Sequence, residues 1–226
     1  DAQESRGLGD VYKRQVQTLK VFVSFLNDRE MRMDEATTER VLQDSMFELD
    51  NLSAYLGKLK DMVCADERET LLRPSAFNLR ELVEKVVRLT NIPAGKKVSF
   101  STAFPPDMPD LTADPVHVAN VLSNLIENAI KYSGEEVNID IVVLWNHQGV
   151  ELTVSDNGFG IAPDERRKVF EKFYRSSHLP DKQIPGIGLG LSYVRQIVEA
   201  HHGSVSLRSE LGEGTRITIN LPTTAL

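Results

Sequence analysis

The stretch Asp156-Asn157-Gly158-Phe159-Gly160 decides how the rest of the chain is read. It comes one residue after the stretch 150–154, Val-Glu-Leu-Thr-Val, whose apolar residues predict a strand. Glycines at alternate positions let the backbone turn sharply and approach a ligand, and a carboxylate at that turn can accept a hydrogen bond from an exocyclic amine. A strand-ending turn capped by its own aspartate would look the same. Three further stretches, at 124–133, 186–191 and 212–215, fit around it in order along the chain and favour the ligand-binding interpretation.

Composition limits the classes of protein that the chain can belong to. Its 226 residues include 26 Lys and Arg against 33 Asp and Glu, which gives a net charge of −7. This acidic balance argues against a nucleic-acid-binding protein, so any phosphate site must be local. The single cysteine, Cys64, excludes an intrachain disulfide. The longest stretch made up mainly of apolar residues, 139–145, is too short to span a membrane.

The first 77 residues divide into three predicted segments. Residues 1–15 show no clear period and are expected to be a disordered tail or a foreign stretch fused to a truncated protein. Residues 16–68 carry one apolar stripe and then a heptad seam, which predicts a helical hairpin whose longer helix needs a partner. Residues 69–77 are charged, contain Pro74 and are expected to be a linker.

From residue 78 to 226 the pattern predicts an α+β domain with helices on one face of a sheet. Asn78 is a predicted helix cap, with Glu81 three residues later. Asp114-Pro115 predicts the start of a helix over 115–132, because the aspartate caps it and proline fits its first turn. A short helix is predicted after Pro163, and a last helix over 191–200 is predicted to stop at Gly203.

Strands are predicted between and after these helices. The predicted ranges are 97–104, 137–144, 150–154, 204–209 and 215–221. The helix over 115–132 is expected to bury its apolar face, which consists of Val118, Val121, Leu122, Leu125, Ile126 and Ala129.

Polar residues on the otherwise apolar side of that helix suggest a binding site. Asn124 and Asn128 are one turn apart and share a face. A core hydrogen bond could explain one such amide, but two amides followed by Lys131 favour a ligand. Amide oxygens suit Mg²⁺, and lysine supplies charge to a phosphate. The run 186–191, Gly-Ile-Gly-Leu-Gly-Leu, leads into a helix whose free N–H groups can bind phosphates.

Together these stretches resemble the ordered motifs of sensor histidine kinases over about 78–221. Residues 124–133, Asn-Leu-Ile-Glu-Asn-Ala-Ile-Lys-Tyr-Ser, are similar to the N box, and 156–160 to the G1 box. Residues 170–175, Phe-Glu-Lys-Phe-Tyr-Arg, resemble the F box. Residues 186–191 resemble the G2 box, and 212–215, Gly-Glu-Gly-Thr, the last glycine box. The resemblance implies the Bergerat-type α/β-sandwich ATP-binding fold shared with gyrase, Hsp90 and MutL.

The resemblance also implies roles for individual residues. Asp156 would accept from the adenine amine, and Asn128 would ligate Mg²⁺ with Asn124 beside it. Residues 175–185 would form the ATP lid, and 188–191 would hold the phosphates. The complete set of ATP-binding residues that it implies is Asn124, Asn128, Lys131, Tyr132, Asp156, Gly158, Gly160, Ile161, Tyr174, Arg175, Gly186, Gly188, Leu189, Gly190, Leu191 and Thr215.

The predicted hairpin resembles the dimerisation and phosphotransfer helices of the same kinases, but it lacks their acceptor motif. In the family the first helix carries His-Glu-x-x-x-Pro, whereas every histidine of this chain lies after residue 116. The expected function is therefore an ATP-dependent histidine kinase core that transfers the γ-phosphate to a histidine absent from this chain. Asn124 occupies the position of the water-activating glutamate of related ATPases, so transfer to protein is favoured over hydrolysis, and Glu127 is expected to point elsewhere.

Two alternatives stay open at the level of sequence. One is an ATP-binding pseudokinase that works as a dimerising scaffold. The other is a serine kinase of the anti-sigma type, which shares the ATP fold but lacks a heptad hairpin. The expected partners are a second copy through the hairpin and a response-regulator receiver domain, with no nucleic acid. A cytoplasmic location is expected, with any membrane anchor upstream of this chain.

Overall fold

The computed structural model describes residues 72–146, 149–178, 184 and 188–222. The predicted tail, the hairpin over 16–68 and its dimer seam lie outside the described residues, as does Gly186. In chain order the described elements are β1 (Ser75–Phe77), α1 (Leu79–Leu89), β2 (Lys97–Ala103), β3 (Leu111–Ala113), α2 (Pro115–Lys131), β4 (Glu136–Asn146), β5 (Gly149–Asp156), a 3₁₀ turn (Lys168–Phe170), α3 (Gly190–Ala200), β6 (Ser204–Glu210) and β7 (Gly214–Pro222).

Five strands form one mixed sheet in the order β2-β4-β5-β7-β6. β2 runs parallel to β4, and every other neighbouring pair is antiparallel. Burial alternates along β4: Val137, Ile139 and Ile141 are buried, whereas Asn138 and Asp140 between them are exposed. One face of the sheet therefore forms the core and the other faces solvent, as period-two alternation requires.

The three helices supply the other half of the core. All six residues of α2 that the sequence predicted to face inward are buried, and Ile130 joins them. Leu79 and Val83 of α1 and Val194 and Ile197 of α3 belong to the same cluster. The predicted α+β domain with a Bergerat-type layer arrangement is confirmed. Among the described residues no helix is both long and apolar enough to cross a membrane.

Both predicted helix caps are present. The Asn78 side-chain oxygen accepts from the Glu81 N–H at 3.1 Å. Asp114 accepts from the N–H groups of Val116 and His117 at 3.0 and 3.2 Å. These bonds satisfy helix N–H groups that have no partner within the helix. The start of α2, the helix that carries both asparagines, is thus fixed by its own sequence.

Two local predictions are wrong in detail. After Pro163 the chain makes turns over 163–167 and only then a 3₁₀ turn, so no regular helix follows the proline directly. At the end of α3 the left-handed residue is His202, at φ +57°, and not Gly203. Gly203 instead donates to the carbonyl of Val198 at 2.8 Å, and a side chain there would meet the carbonyl of Asn220 at 2.2 Å.

A small two-stranded sheet was not predicted. β1 pairs antiparallel with β3, with Phe77 opposite Leu111. Each strand has only three residues, too few for a period to show. Ser75–Phe77, within the segment 69–77 expected to be a linker, therefore forms a strand that packs with residues of the domain.

Candidate functional site

Asp156 is the last residue of β5, and two backbone N–H groups hold its side chain. One of its oxygens, Oδ1, accepts from the N–H groups of Gly158 at 2.8 Å and Thr215 at 3.2 Å. Within the described residues no hydrogen bond reaches its other oxygen, Oδ2. Burial raises the pKa of Asp156, and the two N–H donors oppose that effect. The carboxylate is thus oriented through one oxygen and has the other available to accept from a ligand.

The turn after Asp156 is clamped between two neighbouring elements. Phe159 donates its N–H to the carbonyl of Tyr132, at the end of α2, at 2.9 Å. Gly160 has φ +72°, and a side chain on it would lie 1.8 Å from the carbonyl of Glu210 on β6. No residue with a Cβ fits there without a shift of the backbone. The alternate glycines of the sequence therefore reflect close packing of the turn.

Ser209 joins this turn to the last glycine box, and sequence reasoning missed it. Its hydroxyl accepts from the Ile161 N–H at 2.8 Å and donates to the Gly214 carbonyl at 2.7 Å, and it lies 3.0 Å from the Thr215 hydroxyl. Ser209 is buried. The available signal was its parity, because it follows Val205 and Leu207 on the inward face of β6.

The two asparagines face the start of α3. A Cβ placed on Gly190 would lie 3.1 Å from Oδ1 of Asn124 and 3.5 Å from Nδ2 of Asn128. Asn124 donates to the carbonyl of Asn120 at 2.8 Å, so its amide oxygen faces the glycine. Glu127, between them, is exposed. The absence of a side chain on Gly190 leaves a cradle between the two helices, lined by amide groups.

The F-box and G2 stretches meet on the same side of the domain. Phe173 donates its N–H to the Gly188 carbonyl at 2.9 Å. Gly188 has φ +76°, and a Cβ on it would meet the Tyr174 carbonyl at 2.5 Å. Arg175 donates to the carbonyl of Ile184. Leu189, the N-cap residue of α3, accepts at its carbonyl from the N–H of Tyr193 at 3.0 Å.

At the end of α2, Tyr132 lies within electrostatic range of the F-box residue Arg175. The Lys131 ammonium lies 4.7 Å from the centre of the Tyr132 ring. Burial raises the pKa of Tyr132, and the positive charge of Arg175 acts in the opposite direction. Leu191 is half-buried against the core. Separate sequence stretches are thus brought together around the end of α2.

The polar side chains of this region suit the binding of a nucleotide with its metal ion better than a metal site built from protein ligands alone. In the parts of the chain that the structure describes, no group of three or more His, Cys, Asp or Glu side chains could hold a metal ion. The amide groups of Asn124 and Asn128 are the polar groups that line the cradle at Gly190. A hard divalent ion there would complete its coordination with phosphate oxygens and water.

Comparison with known proteins gives the family. Residues 113–225 match the model of the "Histidine kinase-, DNA gyrase B-, and HSP90-like ATPase" family. The sensor protein RprX of Bacteroides fragilis is 29% identical over 216 residues, which cover 93% of this chain and 41% of RprX. The chain spans about half or less of the length of the curated relatives that it matches.

Solved structures show the same fold. Full-length ShkA in complex with AMPPNP matches with a TM-score of 0.71 at 22% identity, over 87% of this chain and 41% of that one. The histidine kinase ThkA in complex with the response regulator protein TrrA matches with a TM-score of 0.66 at 21% identity, over 96% of this chain and 61% of that one. The chain therefore belongs to the histidine kinase-, DNA gyrase B- and HSP90-like ATPase family, and it contains the catalytic ATP-binding domain of a sensor histidine kinase.

Proposed function

We infer that Asp156 recognises the adenine of ATP and that this domain presents the γ-phosphate to a histidine of a sensor kinase. The observation that carries the inference is the carboxylate of Asp156, which two backbone N–H groups hold through Oδ1 alone. Its remaining oxygen is oriented to accept from an amine. AMPPNP in the related ShkA supports ATP as the nucleotide.

The phosphate end of the nucleotide belongs at the cradle between α2 and α3. Asn128, with Asn124 beside it, would hold Mg²⁺, which neutralises phosphate charge when it is bound. The residues fit this assignment because both amides face Gly190, which has no side chain, at the start of α3. The N–H groups at the start of α3 and the charges of Lys131 and Arg175 would bind phosphate oxygens.

Transfer to protein is favoured over hydrolysis by two features. Asn124 cannot act as a general base toward water, because an amide does not accept a proton at neutral pH. Glu127, the acidic neighbour of Asn128, is exposed, whereas Asn124 and Asn128 are half-buried. Positioning of an acceptor is most of what phosphoryl transfer requires, so the acceptor histidine must come from a separate segment.

Two partners follow from this function as proposals. A response-regulator receiver domain would take the phosphoryl group onward, and the related ThkA is known in a complex with its regulator TrrA. The heptad seam over 42–63 supports a homodimer through a four-helix bundle.

The adenine assignment is tested with Asp156→Asn. Asparagine keeps one oxygen for the Gly158 and Thr215 N–H groups but places an NH₂ group where Oδ2 accepts. Loss of a charge-assisted hydrogen bond of about 1.5–3 kcal/mol should weaken ATP about ten- to hundredfold in calorimetry. Asp140→Asn, an exposed carboxylate on the opposite face of the sheet, is the matched control. Equal ATP affinities for the three proteins would refute the assignment.

The kinase assignment is tested with γ-labelled ATP. The unmodified chain should bind ATP but form no acid-labile, base-stable phosphohistidine. A variant with a helix bearing His-Glu-x-x-x-Pro placed directly before Val16 should become labelled. If the repaired chain binds ATP and stays unlabelled, the pseudokinase alternative is favoured. Label on the unmodified chain would contradict the proposed absence of an acceptor.

A further inference from the structure

Glu165 is a buried carboxylate that belongs to none of the recognised motifs. It is only 1% exposed, and it lies in the turns between the G1 and F stretches. Its side chain accepts from the hydroxyl of Tyr174, the hydroxyl of Ser176, and both the N–H and the hydroxyl of Ser177. The His178 ring nitrogen Nδ1 lies 3.3 Å from it. A buried charge is tolerated only when it is satisfied in this way.

The donors to Glu165 come from one continuous segment. They flank Arg175 on both sides, with Tyr174 before it and Ser176 after it. The same segment is fixed at its start, where Phe173 donates to Gly188 and the Tyr174 carbonyl touches that glycine. Arg175 itself donates to the carbonyl of Ile184. The carboxylate therefore binds residues on each side of the arginine, through the hydroxyls of Tyr174 and Ser176 and through the N–H and hydroxyl of Ser177.

Glu165 is in turn fixed to the adenine side of the domain. Its N–H donates to the Ala162 carbonyl at 3.0 Å, and its carbonyl accepts from Val169 at 3.0 Å. Ala162 follows Ile161, whose N–H is bonded to Ser209. Two hydrogen bonds and the peptide bond between Ile161 and Ala162 thus connect Ser209 to Glu165, whose side chain binds the segment that carries Arg175.

We propose that Glu165 is a positioning residue that sets Arg175 for the phosphates of the bound nucleotide. This inference rests on the proposed function of the site. Glu165 acts through its hydrogen bonds to Tyr174, Ser176 and Ser177 and not through contact with the nucleotide. Hydrogen bonds from Ser176, Ser177 and Tyr174 outweigh burial and hold its pKa at about 2, so the carboxylate stays charged throughout the physiological range.

A positioning role and simple support of the fold predict different changes in ligand affinity when Glu165 is lost. If Glu165 sets Arg175, its loss should weaken ligands that carry phosphates and leave adenosine binding unchanged, because Asp156 is held by separate contacts. If Glu165 only supports the fold, both ligands should weaken together. Non-additivity with Arg175 supplies a second criterion, because two residues that act as a unit do not contribute independently.

The test compares Glu165→Gln, Arg175→Ala and the double variant by calorimetry with ATP and with adenosine. Glutamine keeps the size of the side chain but loses the charge that strengthens its hydrogen bonds. We expect Glu165→Gln to bind ATP about tenfold more weakly, with adenosine affinity unchanged and little further loss in the double variant relative to Arg175→Ala. Asp164→Asn, the exposed neighbouring carboxylate, should bind ATP as the parent does.

Hydrogen exchange at the Ser177 amide gives a readout that does not depend on the nucleotide, because this N–H donates to Glu165 at 2.9 Å. Its protection should fall in Glu165→Gln and persist in Asp164→Asn. Equal loss of ATP and adenosine, additive losses with Arg175→Ala, or unchanged Ser177 protection would each overturn the inference. If the parent bound neither ligand, the proposed function would fail, whereas the exchange result would still decide whether Glu165 anchors this segment.

Discussion

The turn at 156–161 and the segment at 173–178 both carry expected nucleotide residues, but they are held in different ways. The first is fixed by backbone contacts and close approach: Phe159 bonds to Tyr132, and Gly160 lies against Glu210. The second is fixed largely by one side chain, the buried carboxylate of Glu165. Backbone packing tolerates no added atom and responds little to pH. An anchor made by one carboxylate is less sensitive to added atoms nearby, but the strength of its hydrogen bonds depends on the carboxylate staying charged.

The largest effect should come from a single added methyl group in the first region. Gly160→Ala would place its Cβ 1.8 Å from the Glu210 carbonyl, at φ +72°. We expect it to lower the free energy of unfolding by more than about 3 kcal/mol, through steric overlap added to left-handed strain. Gly212→Ala is the matched control. It has φ +81° with no heavy atom within 4 Å of the new Cβ, so only about 1 kcal/mol should be lost. Chemical denaturation measures both.

Similar losses for the two alanine variants would contradict the idea that close packing holds the turn. They would mean that left-handed strain accounts for both glycines. A small decrease in the free energy of unfolding of Gly160→Ala, together with weakened ATP binding, would also change the comparison. It would mean that the close contact shapes the binding site and contributes little to stability.

Acid should lower the stability that Glu165 contributes by holding the segment at 173–178. The pKa of Glu165 falls from 4.5 to about 2 on folding. A lowered pKa stabilises the folded state fully above the unfolded value, and that contribution disappears as pH falls from about 4.5 towards 2. The shift corresponds to roughly 3 kcal/mol. Denaturation of the parent and of Glu165→Gln across this pH range should show a smaller acid-dependent loss in the variant.

Asp156 gives a contrast in the acid experiment, because its pKa shifts in the opposite direction from that of Glu165. Burial raises its pKa, so its contribution to stability increases as pH falls. Asp156→Asn should therefore lose more stability on acidification than the parent does, whereas Glu165→Gln should lose less. Identical pH dependences for the two variants would contradict the assignment of the charge-dependent anchor to Glu165.

The smallest of these effects should come from Ser209, which joins the first region to β7. Ser209→Ala would leave the Ile161 N–H and the Gly214 carbonyl without their partner. We expect a loss of about 1–3 kcal/mol in the free energy of unfolding. Ser206→Ala, on the exposed parity of the same strand, should change it by less than about 0.5 kcal/mol. Equal stabilities of the two variants would show that Ser209 is not a structural hub.

Local rules account for much of what the sequence predicted correctly. The caps at Asn78 and Asp114 were predictable because a cap and the N–H groups it binds lie within a few residues of one another. The inward face of α2 followed from its 3.6-residue period. The apolar residues over 137–144 and 150–154 likewise predicted strands, which are β4 and β5, and the ordered motifs led to the family.

Predictions failed where the deciding partner is distant in sequence. His202 ends α3 in the left-handed conformation because Gly203 must pass close to the Asn220 carbonyl on β7, and no local pattern reports that approach. β1 and β3 form only because they pair with each other across more than thirty residues. Ser209 gave no motif signal, since its partner Ile161 lies 48 residues away. The partners of Glu165 lie only 9 to 12 residues after it, but no regular period links a turn residue to the segment that follows.

By itself the sequence determined the element types, the helix starts, the glycine turns and the family, because these depend on local propensity and on motifs in order. The tertiary structure decided which oxygen of Asp156 is free, that Gly190 faces both asparagines, and that one buried carboxylate secures the segment around Arg175. The physical reason is that burial, hydrogen-bond partners and pKa depend on distances between atoms from different elements, and those distances exist only after the elements have packed.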